Sequence, residues 1–194
     1  MHNQHVIQQT IHQQHQLVAP PPRQFKIPVS VLVVVYTADC QTLLIERANQ
    51  QAQATGLWQS VTGSLDTLQE PPELAARREV MEETGIDCTQ PGCVLQNWQQ
   101  CNTYALAPAW LHRYAPGVLH NTEHVWGLLV PHGTPVRLNP REHVAYQWLP
   151  SSQAAKLCFS ATNACAVQTL AQHAGLVGHE EHAAPTEHLQ NPNL

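Results

Sequence analysis

Charge is scarce in this chain. Only 12% of its 194 residues are Asp, Glu, Lys or Arg, about half the usual share, so Gln, His, Asn and Thr must cover much of the surface. Nine Lys and Arg stand against fourteen Asp and Glu, a net charge of −5. That balance excludes a strongly basic nucleic-acid-binding face. No apolar run reaches about 18 residues, which excludes an ordinary transmembrane helix. No basic stretch followed by an apolar one opens the chain, so no secretory signal is read, and a cytoplasmic location is expected. The six cysteines, Cys40, Cys88, Cys93, Cys101, Cys158 and Cys165, form no CxxC pair. They read as reduced thiols rather than as a zinc site or a disulfide framework.

Both ends are poor in periodic apolar residues. Residues 1–24 hold seven Gln and four His before Pro20-Pro21-Pro22, and 175–194 carry Gly175, Gly178, Pro185 and Pro192. They are expected to be a disordered Gln/His-rich tail and a flexible C-terminal tail, leaving one domain over 25–174. That length buries a core without disulfides or structural metal.

The domain reads as mixed α/β. Val29 to Tyr36 is a continuous β-branched run, hence a buried strand, and Thr42 to Arg47 a second one, hairpinned with it. Residues 48–56 read as a polar loop. A short strand over Trp58–Val61 is expected to break at Thr62-Gly63. Pro71-Pro72 opens a helix that Gly85 closes. Strands follow near 93–104, 122–131 and 143–149, and a last helix runs from Ser160, its N-cap, to about Ala174.

The stretch 62–86, TGSLDTLQEPPELAARREVMEETGI, holds six of the fourteen acidic residues. Glu79, Glu82 and Glu83 are three and four positions apart, so they project from adjacent parts of one helix face. Unpaired, such like charges weaken a helix by a few tenths of a kcal/mol. A divalent cation reverses the sign, and oxygen donors on a rigid element suit Mg²⁺, with Mn²⁺ as a substitute. A plain solvated face, partly paired by Arg78 four residues before Glu82, stands beside that reading.

Gly63, Glu70 and the run Arg78-Glu79-Val80-Met81-Glu82-Glu83-Thr84-Gly85-Ile86 resemble the signature of the Nudix hydrolases. Six residues instead of the usual five separate Gly63 from Glu70, an insertion in the 64–69 loop. The resemblance implies an α/β Nudix fold, a mixed β-sheet sandwiched between helices. It implies a pyrophosphohydrolase with Glu79, Glu82 and Glu83 on the metal, Arg78 orienting them through Glu70, and Gly63 giving a sharp turn with close backbone approach.

Further segments extend the likeness across residues 25–170. These are Pro28–Val34, Leu57–Ser64, His112–Val118 with Asn121-Thr122-Glu123, Glu142–Leu149 and Asn163. They resemble the bacterial Nudix enzymes that hydrolyse dihydroneopterin triphosphate in folate synthesis. That likeness implies Lys26, Arg47, Thr62, Arg113 and Ser160 on the substrate, and Glu142 as a late metal ligand or base. Strand alternation would send Arg113 to the face opposite His112 and Tyr114. Trp58, Trp110, Trp126 and Trp148 serve either as core or as stacking surfaces for a ring. A small-molecule triphosphate is the implied partner, with no nucleic acid and no membrane, and the oligomeric state is open. A dATP-type pyrophosphohydrolase and a catalytically silent ligand-sensing Nudix domain remain as rival functions.

Overall fold

The computed structural model describes residues 25–48 and 56–180. The expected tail at 1–24, residues 181–194 of the tail expected at 175–194, and most of the expected 48–56 loop lie outside these described residues.

A seven-stranded mixed sheet organises the chain, in the order β3-β2-β1-β6-β5, with β4 joining β1 and β7 joining β2. The strands are β1 Val29–Tyr36, β2 Gln41–Arg47, β3 Trp58–Gln59, β4 Val61–Ser64, β5 Val94–Ala105, β6 His120–Leu129 and β7 His143–Pro150. β1 runs parallel to β6 over its whole length, from Val29↔Thr122 to Tyr36↔Leu129. Its other edge is divided. β4 pairs antiparallel with the first half, Val31 facing Gly63, and β2 meets it only at Tyr36↔Thr42. The expected β1–β2 hairpin therefore opens immediately after its turn, because β4 takes the place beside β1.

β1 is apolar throughout because both of its faces are covered. Val31, Val33 and Val35 pack with Ala75, Ala76 and Val80 of the helix α1, Pro72–Thr84. Leu32, Val34 and Tyr36 pack with Ala154, Ala155, Ala166, Val167 and Leu170 on the other side. Those residues come from α2 Ser151–Leu157, α3 Ala161–Gln168 and α4 Leu170–Glu180. The sheet is thus sandwiched between helices, and each fully buried aliphatic side chain stabilises it by about 1.5–3 kcal/mol.

Three local expectations need correction. The Thr62-Gly63 break does not occur: both residues lie inside β4, where the ladder to β1 holds them extended. His112 and Arg113 do not alternate on a strand. Pro108 starts a short 3₁₀ helix, Pro108–Arg113, with Tyr114 as its C-cap. The last helix is split, and helix continues through 175–180, where a tail was expected. Thr169 makes the break, its hydroxyl donating back to the Ala166 carbonyl at 2.9 Å. The continuation is anchored by His173, whose ring stacks on Trp98 at 4.2 Å between centroids.

Among the described residues no helix is long and apolar enough to cross a membrane. The six cysteines are all free thiols.

Candidate active site

The site begins with helix α1. Pro72 stands in its first turn, where the missing N–H costs nothing, and Gly85 ends it at φ 68°, donating its N–H to Met81 O at 2.9 Å. Glu79 and Glu83, one turn apart, face the sheet and are 8% and 4% exposed. Glu82 sits off that line, its side chain 53% exposed. The structure therefore brings two of the three expected glutamates together against β4 and leaves the third at the rim.

Arg78 organises the carboxylates. Its Nε donates to Glu70 Oε1 at 2.9 Å and its Nη2 to Glu70 Oε2 at 3.1 Å, a two-pronged pairing. Nη2 also reaches Ser64 O at 3.0 Å, and Nη1 reaches Glu79 Oε1 at 2.8 Å and Glu82 Oε2 at 3.4 Å. Asp66 lies 3.3 Å from Nε. The extra residue of the 64–69 loop is absorbed there, with the Asp66 N–H donating to Glu70 Oε2 at 2.6 Å. Arg78 holds the Glu70 carboxyl below the usual carboxylate range.

β4 supplies the floor. The Glu79 carboxylate lies directly on Gly63, in space that a Cβ would fill. Gly63 is needed for that close approach, and the sharp turn expected of it is not present, since it is an extended ladder residue. The Thr62 N–H donates to Glu83 Oε2 at 3.2 Å, and the Thr62 hydroxyl accepts from Gln59 Nε2 at 3.2 Å. That leaves the hydroxyl's own hydrogen for a ligand.

The loop before β7 supplies the third wall. It caps the end of α1: Arg137 N donates to Thr84 O at 2.7 Å and Asn139 N to Glu83 O at 3.4 Å. Asn139 then receives the N–H groups of Glu142 and His143 on its carbonyl, and its Nδ2 donates to Glu142 Oε1 at 3.2 Å. Glu83, Glu142 and His143 consequently converge, each offering one donor atom within 4.8 Å of the others. Sequence reasoning missed Asn139 and His143. β7's inward positions begin with His143 and Ala145, while the outward ones are Val144 and Tyr146, so apolarity does not mark the buried side.

Burial pushes the Glu79 carboxyl up to about 7, with Arg78 pulling against it and Glu83 and Glu82 adding to the rise. Burial likewise raises Glu83, against His143 and the Thr62 N–H. Two carboxylates taken out of water on a floor that leaves them room form an oxygen-donor set that a divalent cation would satisfy. The residues present fit such an ion.

Lys26 lies beside β4, at the entry to β1. The Lys26 N–H bonds Arg113 O at 2.9 Å, which ties the start of β1 to the end of the 3₁₀ helix. Lys26 Nζ reaches Ser64 Oγ at 3.5 Å. Its pKa is lowered first by the protein packed around it, although the residue as a whole is exposed, and then by Arg113 and Arg47; Glu79 and Glu142 pull the other way. These five charges share one electrostatic neighbourhood. Arg47 enters it because β2 pairs with β7 at Arg47↔His143 past a bulge, and the Ala48 N–H bonds Glu142 O at 2.6 Å.

Ser160 N-caps α3, accepting from the Asn163 N–H at 3.2 Å. Asn163 in turn clamps Ser60, through Ser60 N–H to Oδ1 and Nδ2 to Ser60 Oγ, both 2.8 Å. Trp58 and Trp126 are core residues, Trp148 packs against the core, and Trp110 is 45% exposed.

Comparison with known proteins gives the family. The profile of the NUDIX domain matches residues 26–170, and the chain belongs to the Nudix hydrolase family. Within that family it is similar to the dihydroneopterin triphosphate diphosphatase of Escherichia coli, 38% identical over 144 residues, which are 74% of this chain and 92% of the relative. The enzyme of the same name from Haemophilus influenzae is 31% identical over 147 residues, 75% of this chain and 88% of the relative. The solved E. coli dihydroneopterin triphosphate pyrophosphohydrolase superposes with a TM-score of 0.66 at 37% identity, covering 77% of this chain and 98% of that one.

Proposed function

We propose that this chain is a cytoplasmic, Mg²⁺-dependent pyrophosphohydrolase that converts dihydroneopterin triphosphate to the monophosphate and pyrophosphate for folate synthesis, with Mn²⁺ able to replace Mg²⁺. The observation that carries the reaction class is the burial of the Glu79 and Glu83 carboxylates against Gly63 and Thr62 of β4, the strand whose Ser64 the Lys26 ammonium reaches. An ammonium beside a buried carboxylate pair suits a polyphosphate shared with a divalent cation. The substrate assignment is supported by the relatives' named activity and by their coverage of the whole domain.

When bound, the cation neutralises phosphate charge and lowers the pKa of water. Glu79 and Glu83 are the residues to hold it, with Glu142 adjoining them and Glu82 at the rim. Lys26, Arg47 and Arg113 grip the triphosphate oxygens, Arg by a two-pronged fork. The Thr62 hydroxyl, and Ser160 at the start of α3, contact the remainder of the substrate. Glu142, exposed and held on one oxygen by Asn139, accepts a proton from the attacking water on its other oxygen.

Pyrophosphate release tests this, comparing kcat/KM for dihydroneopterin triphosphate with the four dNTPs. A preference of about a hundredfold for the pterin, roughly 2.7 kcal/mol of transition-state discrimination, is expected. A flat profile or a dATP preference discards the substrate and keeps the hydrolysis. Release from no triphosphate discards the enzyme and favours a ligand-sensing domain.

A further inference from the structure

We infer that His143 is a nitrogen ligand of the divalent cation, beside the carboxylates of Glu83 and Glu142. This rests on the cation-dependent reading above and adds a residue to it. His143 is 3% exposed, so a polar imidazole has been taken out of water. Neither of its ring nitrogens completes a hydrogen bond among the described residues. A buried polar group left so costs on the order of 1–3 kcal/mol unless something else satisfies it.

The position of Nε2 says what does so. It lies 3.2 Å from Glu83 Oε1, near enough for attraction but without the alignment of a hydrogen bond. Two donors at right angles on one ion, each about 2.1–2.2 Å from it, stand about 3.0 Å apart. The observed 3.2 Å, an ion-pair distance in the unloaded site, is also one that two neighbouring ligands of a single ion can keep. Glu142 completes the group. Glu83 Oε2 is occupied by the Thr62 N–H, so Oε1 is the oxygen left to share an ion with the imidazole.

The arrangement is built from the chain outward. Asn139 O receives the His143 N–H at 2.9 Å, and Asn139 N bonds Glu83 O, so one residue sets both the helix end and the start of β7. An imidazole among carboxylates moves a site's preference from Mg²⁺ toward ions later in the first transition row.

The test is pulsed EPR on the full chain loaded with one equivalent of Mn²⁺ and no substrate. Modulation from a directly bound ¹⁴N is expected in the natural protein and lost in His143→Gln, whose Mn²⁺ affinity falls about tenfold or more. Bound Mn²⁺ without ¹⁴N modulation overturns the inference, and so does modulation that persists in His143→Gln. Should that variant fail to fold, the natural protein's spectrum decides alone. Turnover separates the two claims: Mn²⁺-dependent hydrolysis without ¹⁴N coupling rejects only the His143 ligand, and ¹⁴N coupling without hydrolysis of any triphosphate rejects only the enzyme.

Discussion

The Glu79 carboxylate rests on the bare Cα of Gly63, with its carbon and both oxygens in the space a methyl group would occupy. Gly63→Ala must therefore displace Glu79 or spread β4 from α1. Overpacking of this kind costs about 1–3 kcal/mol of stability. A displacement of about 1 Å in a positioned group costs on the order of a hundredfold in rate. Urea unfolding and pyrophosphate release on the same preparation would show both. Full activity in Gly63→Ala would mean that Glu79 does no work at that position.

Arg78 joins Glu70, Glu79 and Glu82 with one guanidinium. Arg78→Lys keeps the charge but cannot span the fork to Glu70 and the bonds to Glu79 and Ser64 together. The expected loss is about 2 kcal/mol of stability, with weaker cation binding measured by calorimetry. Glu70→Gln, which keeps the shape and removes one charge, should lose less. A larger loss in Glu70→Gln than in Arg78→Lys would show that charge, not the fork, is what matters.

Asn139 holds Glu142 by its side chain and the end of α1 by its backbone. Asn139→Ala removes the side-chain bonds to Glu142 and to the Arg141 N–H and keeps the backbone ones. If Glu142 is the base, kcat should fall on the order of tenfold, a loss of about 1.4 kcal/mol, with KM nearly unchanged. A rise in KM at constant kcat would assign Glu142 to substrate binding instead.

Glu123 supplies a pH dependence away from the cation site. It is 5% exposed, and burial raises its pKa above the ordinary 4.5, although Asn102 and Tyr104 donate to it. The folded state thus keeps a proton that the unfolded state releases. Stability from this group is full below about pH 4.5 and declines as pH rises through the folded value. Glu123→Gln should flatten that decline and stabilise the protein at neutral pH, as followed by Tm against pH. A steeper decline in the variant would refute the assignment.

Much of this was legible before the fold. The i,i+4 spacing of Glu79 and Glu83 follows from helix geometry, and so does the stop at Gly85. β1 was readable because a strand covered on both faces must be apolar throughout. Gly63 is legible only in part. Its lack of a Cβ is needed, but the expected turn is absent, since the ladder to β1 comes from residues some thirty positions away. Arg113 differs from its expected place for a similar reason. Alternation describes a strand, and Pro108 had already started a 3₁₀ helix. The continuation past Ala174 depends on Trp98, which lies 75 residues earlier than His173 and stacks on it.

Most strands, the carboxylate face of α1, its two terminators and the family signature are legible in the sequence alone, because each depends on spacings along a short stretch of chain. The packing of the sheet settles which glutamates are buried, that His143 meets Glu83, and that Lys26 reaches β4. Those facts depend on pairings between β1, β2, β4 and β7 that no local period encodes. A buried charge or imidazole acquires its chemistry from neighbours distant in the chain, and the packed sheet supplies them.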